Sequence, residues 1–187
     1  MNLQNDHIRI AEIRDLKELK HIETLAAGIF PQTYRGLIPD AQIPYMMHVM
    51  YDDEVLRKES SEGMHFNIIR DEDRPIGYIC WYLKNENGDP VLRLEKLYLD
   101  FAYHGRGIGN LALNFIIDCA KSAEASFISL NVNKRNTKAQ KAYFRAGFYI
   151  WKSEREPVGG GFFKDDYIMR CDIAPAAVKR IDRVADL

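Results

Sequence analysis

The sequence predicts an α/β domain with a mixed, mostly antiparallel sheet and flanking helices, and three observations predict it. Residues 64–70, 75–83 and 92–100 read as strands. The polar turns at 71–74 and 85–90 join them into an antiparallel meander. The strand–helix–strand pieces around 108–121 and 137–146 cannot close as hairpins, so part of the sheet is parallel. Finally, the strand that closes the meander runs through a glycine-rich turn, Gly105, Gly107 and Gly109, directly into a helix.

In chain order, residues 7–13 alternate, with Ile8 and Ile10 opposite Arg9 and Ala11, which predicts a first strand. Asp15 is an N-cap candidate. Leu16, Leu19, Ile22, Ala26 and Ile29 mark an amphipathic helix to about Phe30, where Pro31 is expected to end it. A loop at 33–40 carries Tyr34 and Arg35. Ile43, Met46, Met47, Met50 and Tyr51 share one face of a second helix. The methionines read either as core filling or as a flexible substrate wall. Asp52, Asp53, Glu54, Glu59 and Glu62 make the next segment acidic, which is either a solvated face or an attraction for a cationic substrate.

The helix at 108–121 places Ile108, Leu111, Ala112, Phe115, Ile116 and Cys119 on one face. A strand follows at 127–132. Asn136 caps a helix over 137–146, and Gly147 ends it. Two strands, 148–152 and 167–173, are joined by a mobile link at Gly159, Gly160 and Gly161. Residues 1–173 are expected to form a single domain, with 174–187 as a C-terminal extension in a terminal helix.

With 187 residues, 47% of them apolar and 28% charged, the chain has the composition of an ordinary globular domain with a sizeable core. The net charge of −1 offers no broad basic surface for nucleic acid, so any anion site must be local. Cys80, Cys119 and Cys171 lie far apart in apolar segments and read as free thiols in a reducing compartment. No run of apolar residues is long enough to span a membrane, and no membrane partner is expected. The opening MNLQNDHIRI lacks a charged region followed by an apolar one, so cytoplasm is the expected location. His7, His21, His48 and His65 show no metal spacing, and no metal is expected.

A strand, a glycine turn and a helix start make a phosphate site. The first N–H groups of a helix have no intrahelical partner, and glycine removes the Cβ atoms that would hold an anion away. A dinucleotide fingerprint, Gly-x-Gly-x-x-Gly, does not fit, because reading from Gly105 puts Asn110 in the last position. The strand before the turn switches parity. Leu92 and Leu94 share one side while Leu97 and Leu99 share the other, as a β-bulge near Glu95 and Lys96 would produce. The alternative is a strand covered on both faces, where parity carries no meaning.

Together these motifs resemble the GNAT superfamily of acetyl-CoA-dependent N-acetyltransferases, over nearly the whole chain. LEKLYL at 94–99, HGRGIG at 104–109, Asn131, Val132, Asn133, Asn136, Ala139, Tyr143, Gly147 and Phe148 carry the resemblance. The family's pyrophosphate motif begins with Gln or Arg, and here that position is His104. The bacterial polyamine acetyltransferase group is the more similar subgroup, on TYRGLIP at 33–39 and DDYIM at 165–169.

The resemblance implies the GNAT fold with splayed central strands and acetyl-CoA lying in the wedge. Leu97, Tyr98, Leu99, His104, Gly105, Arg106, Gly107, Ile108, Gly109, Asn110, Asn133, Asn136 and Lys138 would hold it. Lys134, Arg135 and Lys141 add to a small cationic patch. Tyr143 stands where the family places its general acid, beside a packing reading. Glu95 is the candidate base, or else a strand-edge carboxylate paired with Lys96 or Arg93. Asp100 and Asp71 stand behind it. Tyr34, Tyr82 and Glu95 would meet the substrate, a small cationic amine of polyamine type. Acylation of a protein or peptide amine is the second expectation, and a CoA-binding regulatory module with little turnover is the third. A homodimer is left open.

Overall fold

In the computed structural model, which describes residues 7–173, seven strands form one sheet. They are β1 (Ile8–Glu12), β2 (His65–Asp71), β3 (Arg74–Glu86), β4 (Asp89–Leu99), β5 (Phe127–Asn133), β6 (Tyr149–Gly159) and β7 (Phe162–Asp172). Their order is β1-β2-β3-β4-β5-β7-β6. Only β4 and β5 pair in parallel, as the helix between them requires. The predicted mixed sheet is the one that forms; the helix expected in 174–187 lies outside the described residues.

Among the described residues five α-helices cover the sheet: α1 (Leu19–Tyr34), α2 (Gln42–Tyr51), α3 (Asp53–Ser61), α4 (Ile108–Ser122) and α5 (Thr137–Arg145). Two cores result. Ile108, Ala112 and Ile116 of α4 pack on Leu92, Leu94, Ile128, Leu130 and Met169. On the other face Ile22, Ala26 and Phe30 of α1, Met46 and Tyr51 of α2 and Leu56 of α3 pack on Ile68, Tyr78 and Cys80. Met46 is buried there and Met47 and Met50 pack beside it, so the methionines fill core.

Three local expectations are corrected. Pro31 does not end α1, which continues to Tyr34, and the Arg35 N–H closes the last turn on the Pro31 carbonyl at 3.0 Å. The proline removes only its own N–H. The Phe30 and Tyr34 rings, one turn apart with centroids at 4.4 Å, hold the helix across it. The acidic segment after α2 is a helix, α3. It buries Leu56 alone, too little apolar surface to leave a periodic stripe. The link at Gly159, Gly160 and Gly161 is the turn of a long β6–β7 hairpin, with φ of 90°, 60° and 79°. It is docked on α2: the Tyr45 hydroxyl donates to the Val158 carbonyl (2.8 Å) and Gln42 Nε2 to that of Phe163 (2.9 Å).

Gly77 on β3 lies tight against β4. A Cβ built there would lie 2.5 Å from the Tyr98 carbonyl oxygen, a backbone atom that cannot swing away. Gly77→Ala is expected to cost about 1–3 kcal/mol by overpacking, read as a lowered Tm in thermal denaturation. An unchanged Tm would mean that β4 shifts freely at Tyr98.

Candidate active site

The parity switch in β4 is a register shift. Cys80 pairs with Lys96 and Trp81 with Leu94, so Glu95 is the extra, bulged residue. Pairing of β4 with β5 stops at the same place. It runs from Val91 and Phe127 to Leu94 and Leu130, and beyond it β5 pairs only with β7. The two central strands therefore diverge at Glu95. The wedge opens a cavity of about 800 Å³, walled by β4, β5, the end of α1, the N-terminal turns of α4 and one side of α5.

Tyr34, Glu95, Leu97, Tyr98, Leu99, His104, Gly105, Gly107, Gly109, Asn110, Asn136, Lys138 and Tyr143 all line it. Four of the residues expected in the site do not. Ile108 is in the core beneath α4. Arg106 lies over the Tyr103 ring at 5.0 Å. Asn133 is buried, its Oδ1 accepting from the Arg135 N–H at 3.0 Å. Tyr82 stands on β3 opposite Arg93, its phenol pushed up by burial and then by the charge of Glu95. The acidic residues in and around α3 are also off the wall. Asp53 is held by Arg57 (2.6 Å), Asp52 by His48, Glu62 by Lys58 (3.7 Å) and Glu59 by Lys96 (2.6 Å). Asp71 faces His7 (3.3 Å), and Asp100 caps the 3-10 turn Phe101–Tyr103.

One end of the cavity suits a phosphate. α4 starts on Gly107 at φ 83° with no side chain capping it, whereas Asn136 caps α5 by accepting from the Ala139 N–H at 3.1 Å. A Cβ at Gly105 or Gly109 would meet nothing within 4 Å, so the turn presents its backbone to open space. Lys138 Nζ donates to His104 Nδ1 at 2.6 Å. That nitrogen must then accept, so Nε2 carries the proton and donates to the Leu99 carbonyl at 2.9 Å. His104 thus ties the end of β4 to a lysine on α5. Across the cavity Arg135 donates to the Leu37 carbonyl (2.9 Å), joining the loop after α1 to the start of α5.

At the other end Tyr143 sits on α5 with its ring 5.6 Å from that of Phe148. The helix stops just beyond it in a Schellman turn, where the Phe148 N–H reaches the Tyr143 carbonyl (3.0 Å) and Gly147, at φ 91°, the Phe144 carbonyl (3.1 Å). Burial, then the neighbouring Tyr34, push the Tyr143 phenol well up. Glu95 Oε2 accepts from Arg93 Nε at 3.1 Å, and Arg93 also donates to Asn131 Oδ1 at 2.8 Å. Of the two cations considered for Glu95, Arg93 is the partner, and Lys96 is bonded to Glu59 instead. Asn131 lines the wedge, although the sequence marks it only as part of a motif. Tyr34 and Tyr98 share a hydrogen bond between their hydroxyls at 3.1 Å. Among the described residues no group of His, Cys, Asp and Glu side chains is placed to hold a metal ion, and no helix is long and apolar enough to cross a membrane.

The model of the acetyltransferase (GNAT) family matches residues 30–148. An uncharacterised N-acetyltransferase of Mycobacterium tuberculosis is 31% identical over 100 residues, which are 54% of this chain and 62% of that protein. The match thus spans less than two thirds of that relative's length. Among solved structures, the PaiA N-acetyltransferase of Thermoplasma acidophilum in complex with coenzyme A superposes with a TM-score of 0.71 at 22% identity, over 88% of this chain and 98% of that one. Naa50 of Arabidopsis thaliana, in complex with a bisubstrate analogue, gives 0.64 at 22% identity, over 88% and 97%. At these identities the likeness is one of fold.

Proposed function

This chain belongs to the acetyltransferase (GNAT) family, and on that premise we propose that it moves the acetyl group of acetyl-CoA to a primary amine of a small cationic substrate of polyamine type, by direct attack. The observation that carries the reading is the bulge at Glu95. It parts β4 from β5 between an uncapped, glycine-lined helix start and Tyr143. Acetyl-CoA supplies the thioester that the amine attacks. The turn at Gly105, Gly107 and Gly109, with Lys138 beside it, holds the pyrophosphate on backbone N–H groups. Past Leu94, β4 has no strand partner on its β5 side among the described residues, so the backbone of Leu97 and the N–H of Leu99, whose carbonyl takes His104, are left for the pantetheine amides as an added strand would use them.

A primary amine of pKa near 10.4 is neutral in only about one molecule in 2500 at pH 7, so a base must take its proton. Glu95 is on the wall for this, directly or through a water. Tyr143 serves the departing sulfur. Proton transfer from an ordinary phenol to a free thiolate is already uphill by about 2 kcal/mol, and the raised pKa of Tyr143 makes it steeper. Tyr143 therefore acts as a hydrogen-bond donor whose bond strengthens as charge gathers on sulfur.

The test is free-thiol release from acetyl-CoA with polyamines, amino acids, aminoglycosides and lysine peptides. Turnover with polyamines alone supports the reading. Turnover with peptides alone replaces the substrate class. Tight acetyl-CoA binding without turnover on any amine overturns the enzyme reading in favour of a CoA-binding regulatory module.

A further inference from the structure

His104 stands where the family's motif has glutamine or arginine, and its partner is Lys138 on α5. Both line the cavity at the glycine turn. Lys138 Nζ donates to His104 Nδ1 at 2.6 Å, and His104 Nε2 donates to the Leu99 carbonyl at 2.9 Å. The Phe101 ring serves both side chains, with its centroid 4.7 Å from that of the imidazole and 5.7 Å from Nζ. Both ring nitrogens are in use, and in this arrangement the imidazole is neutral. A proton can be added only at Nδ1, where Lys138 already presents a donor of its own. Protonation must therefore break that bond and set two cations side by side.

The charges around the pair come from every element packed against it. At the end of β4, Asp100 accepts from the Ala102 N–H at 2.9 Å and caps the turn Phe101–Tyr103. In the glycine turn, Arg106 lies over the Tyr103 ring at 5.0 Å. The first turn of α4, Ile108 to Leu111, carries no titratable side chain. On α5, Lys141 is a further cation one turn on from Lys138. Arg35 lines the cavity from the loop after α1, and Arg135 is bonded to the Leu37 carbonyl. Against one carboxylate stand several cations, so a second positive charge at His104 is held off until an anion arrives.

We propose that CoA binds together with a proton: as its pyrophosphate settles on the glycine turn, Lys138 passes from His104 to a phosphate oxygen, Nδ1 takes up a proton, and the imidazolium becomes a second side-chain ligand of the phosphates. The inference rests on the CoA reading of the cavity. The two charges of the pyrophosphate then meet two cations. The bond to Leu99 persists through the change, because Nε2 carries its hydrogen in both forms of the ring. Phe101 suits both forms as well, since its face attracts either cation. The bound state holds the proton more readily than the free one, so affinity is greatest at low pH and falls as the pH rises through the range in which histidine titrates. The rival arrangement takes up no proton. A lysine has three N–H donors, and Lys138 would keep one on His104 while another reaches the phosphate.

The probe is 3′-dephospho-CoA, which keeps the pyrophosphate and lacks the phosphate monoester that itself titrates at about pH 6. Calorimetry at pH 6, 7 and 8, in buffers of different ionisation enthalpy, counts the protons taken up on binding. Wild type is expected to take up roughly 0.3 proton or more per ligand near neutral pH, and to bind about fivefold or more tighter at pH 6 than at pH 8. His104→Gln keeps a donor for the Leu99 carbonyl and does not titrate. Its uptake is expected to fall below about 0.1 proton, with affinities at the two pH values within about twofold. NMR gives a readout on wild type alone. The imidazole Cε1–H resonance that is missing from the His104→Gln spectrum should titrate with a midpoint about one pH unit or more higher once 3′-dephospho-CoA is added. Binding without proton uptake, uptake that survives in His104→Gln, or a midpoint that does not rise overturns the proposal alone and leaves Lys138 bridging imidazole and phosphate. If neither CoA nor 3′-dephospho-CoA binds wild type at any of these pH values, the CoA reading of the cavity fails and the proposal with it.

Discussion

Tyr143→Phe is expected to lower kcat by roughly 10²–10³, the usual loss when one preorganised donor is withdrawn from a developing negative charge. The affinity for acetyl-CoA should stay within about twofold, because a bond that matters only as the sulfur gains charge adds nothing to ground-state binding. The fold has little reason to respond. Phenylalanine keeps the ring beside Phe148, and the Schellman turn that positions α5 is made by the Tyr143 backbone carbonyl. The pH profile supplies a second readout. Burial and Tyr34 both disfavour the phenolate, so the pKa of Tyr143 moves up and the hydroxyl keeps its proton far into alkaline solution. The wild-type rate should thus rise with pH as the amine deprotonates, without an alkaline fall due to this residue. A kcat within about threefold of wild type in Tyr143→Phe would sink the donor role and return the residue to packing.

The bulge was legible before any coordinates because side chains alternate with period two. A run whose apolar parity changes between Leu94 and Leu97 needs one residue too many, and Glu95 is that residue. The glycine turn was legible for a similar reason, since positive φ at Gly105 and Gly107 is a local property. Events that depend on the rest of the molecule were not. Pro31 carries a local stop signal, which the contact of Phe30 and Tyr34 overrides. The three glycines of the β6–β7 turn look like slack until Tyr45 and Gln42 are found holding it. His104 departs from the family's first motif position, and its bonds to Leu99 and Lys138 show a structural use of that change that a motif comparison does not contain.

Glu59→Ala is expected to cost about 3–5 kcal/mol of stability, the cost of removing one partner from a buried ion pair. Lys96 exposes 2% of its surface, with Nζ 2.6 Å from Glu59 Oε2 and near the rings of Tyr51 (5.6 Å) and Phe66 (5.9 Å). Without Glu59 the ammonium keeps only those rings. The reverse substitution behaves differently. The Glu59 side chain is 25% exposed against 1% for Lys96, so in Lys96→Met the carboxylate can turn to water while the thioether fills the buried space. Lys96→Met is therefore expected to change stability by no more than about 1 kcal/mol. Urea denaturation of the two variants reads the asymmetry directly, and equal losses would mean that the pair acts as a surface bridge. The consequence reaches the wedge, because Lys96 follows the bulged residue. Its side chain is held by Glu59 of α3 while that of Glu95 is held by Arg93. Two ion pairs on consecutive residues hold the bulge in one register, and without them β4 could slip by one position and pair Glu95 in place of Lys96. Glu59→Ala should for that reason also lower kcat under conditions where the protein remains folded, whereas Lys96→Met, whose apolar side chain keeps the same face buried, should leave it nearly intact. The short acidic helix α3, which carries so little pattern of its own, thereby supports the geometry of the wedge through Lys96.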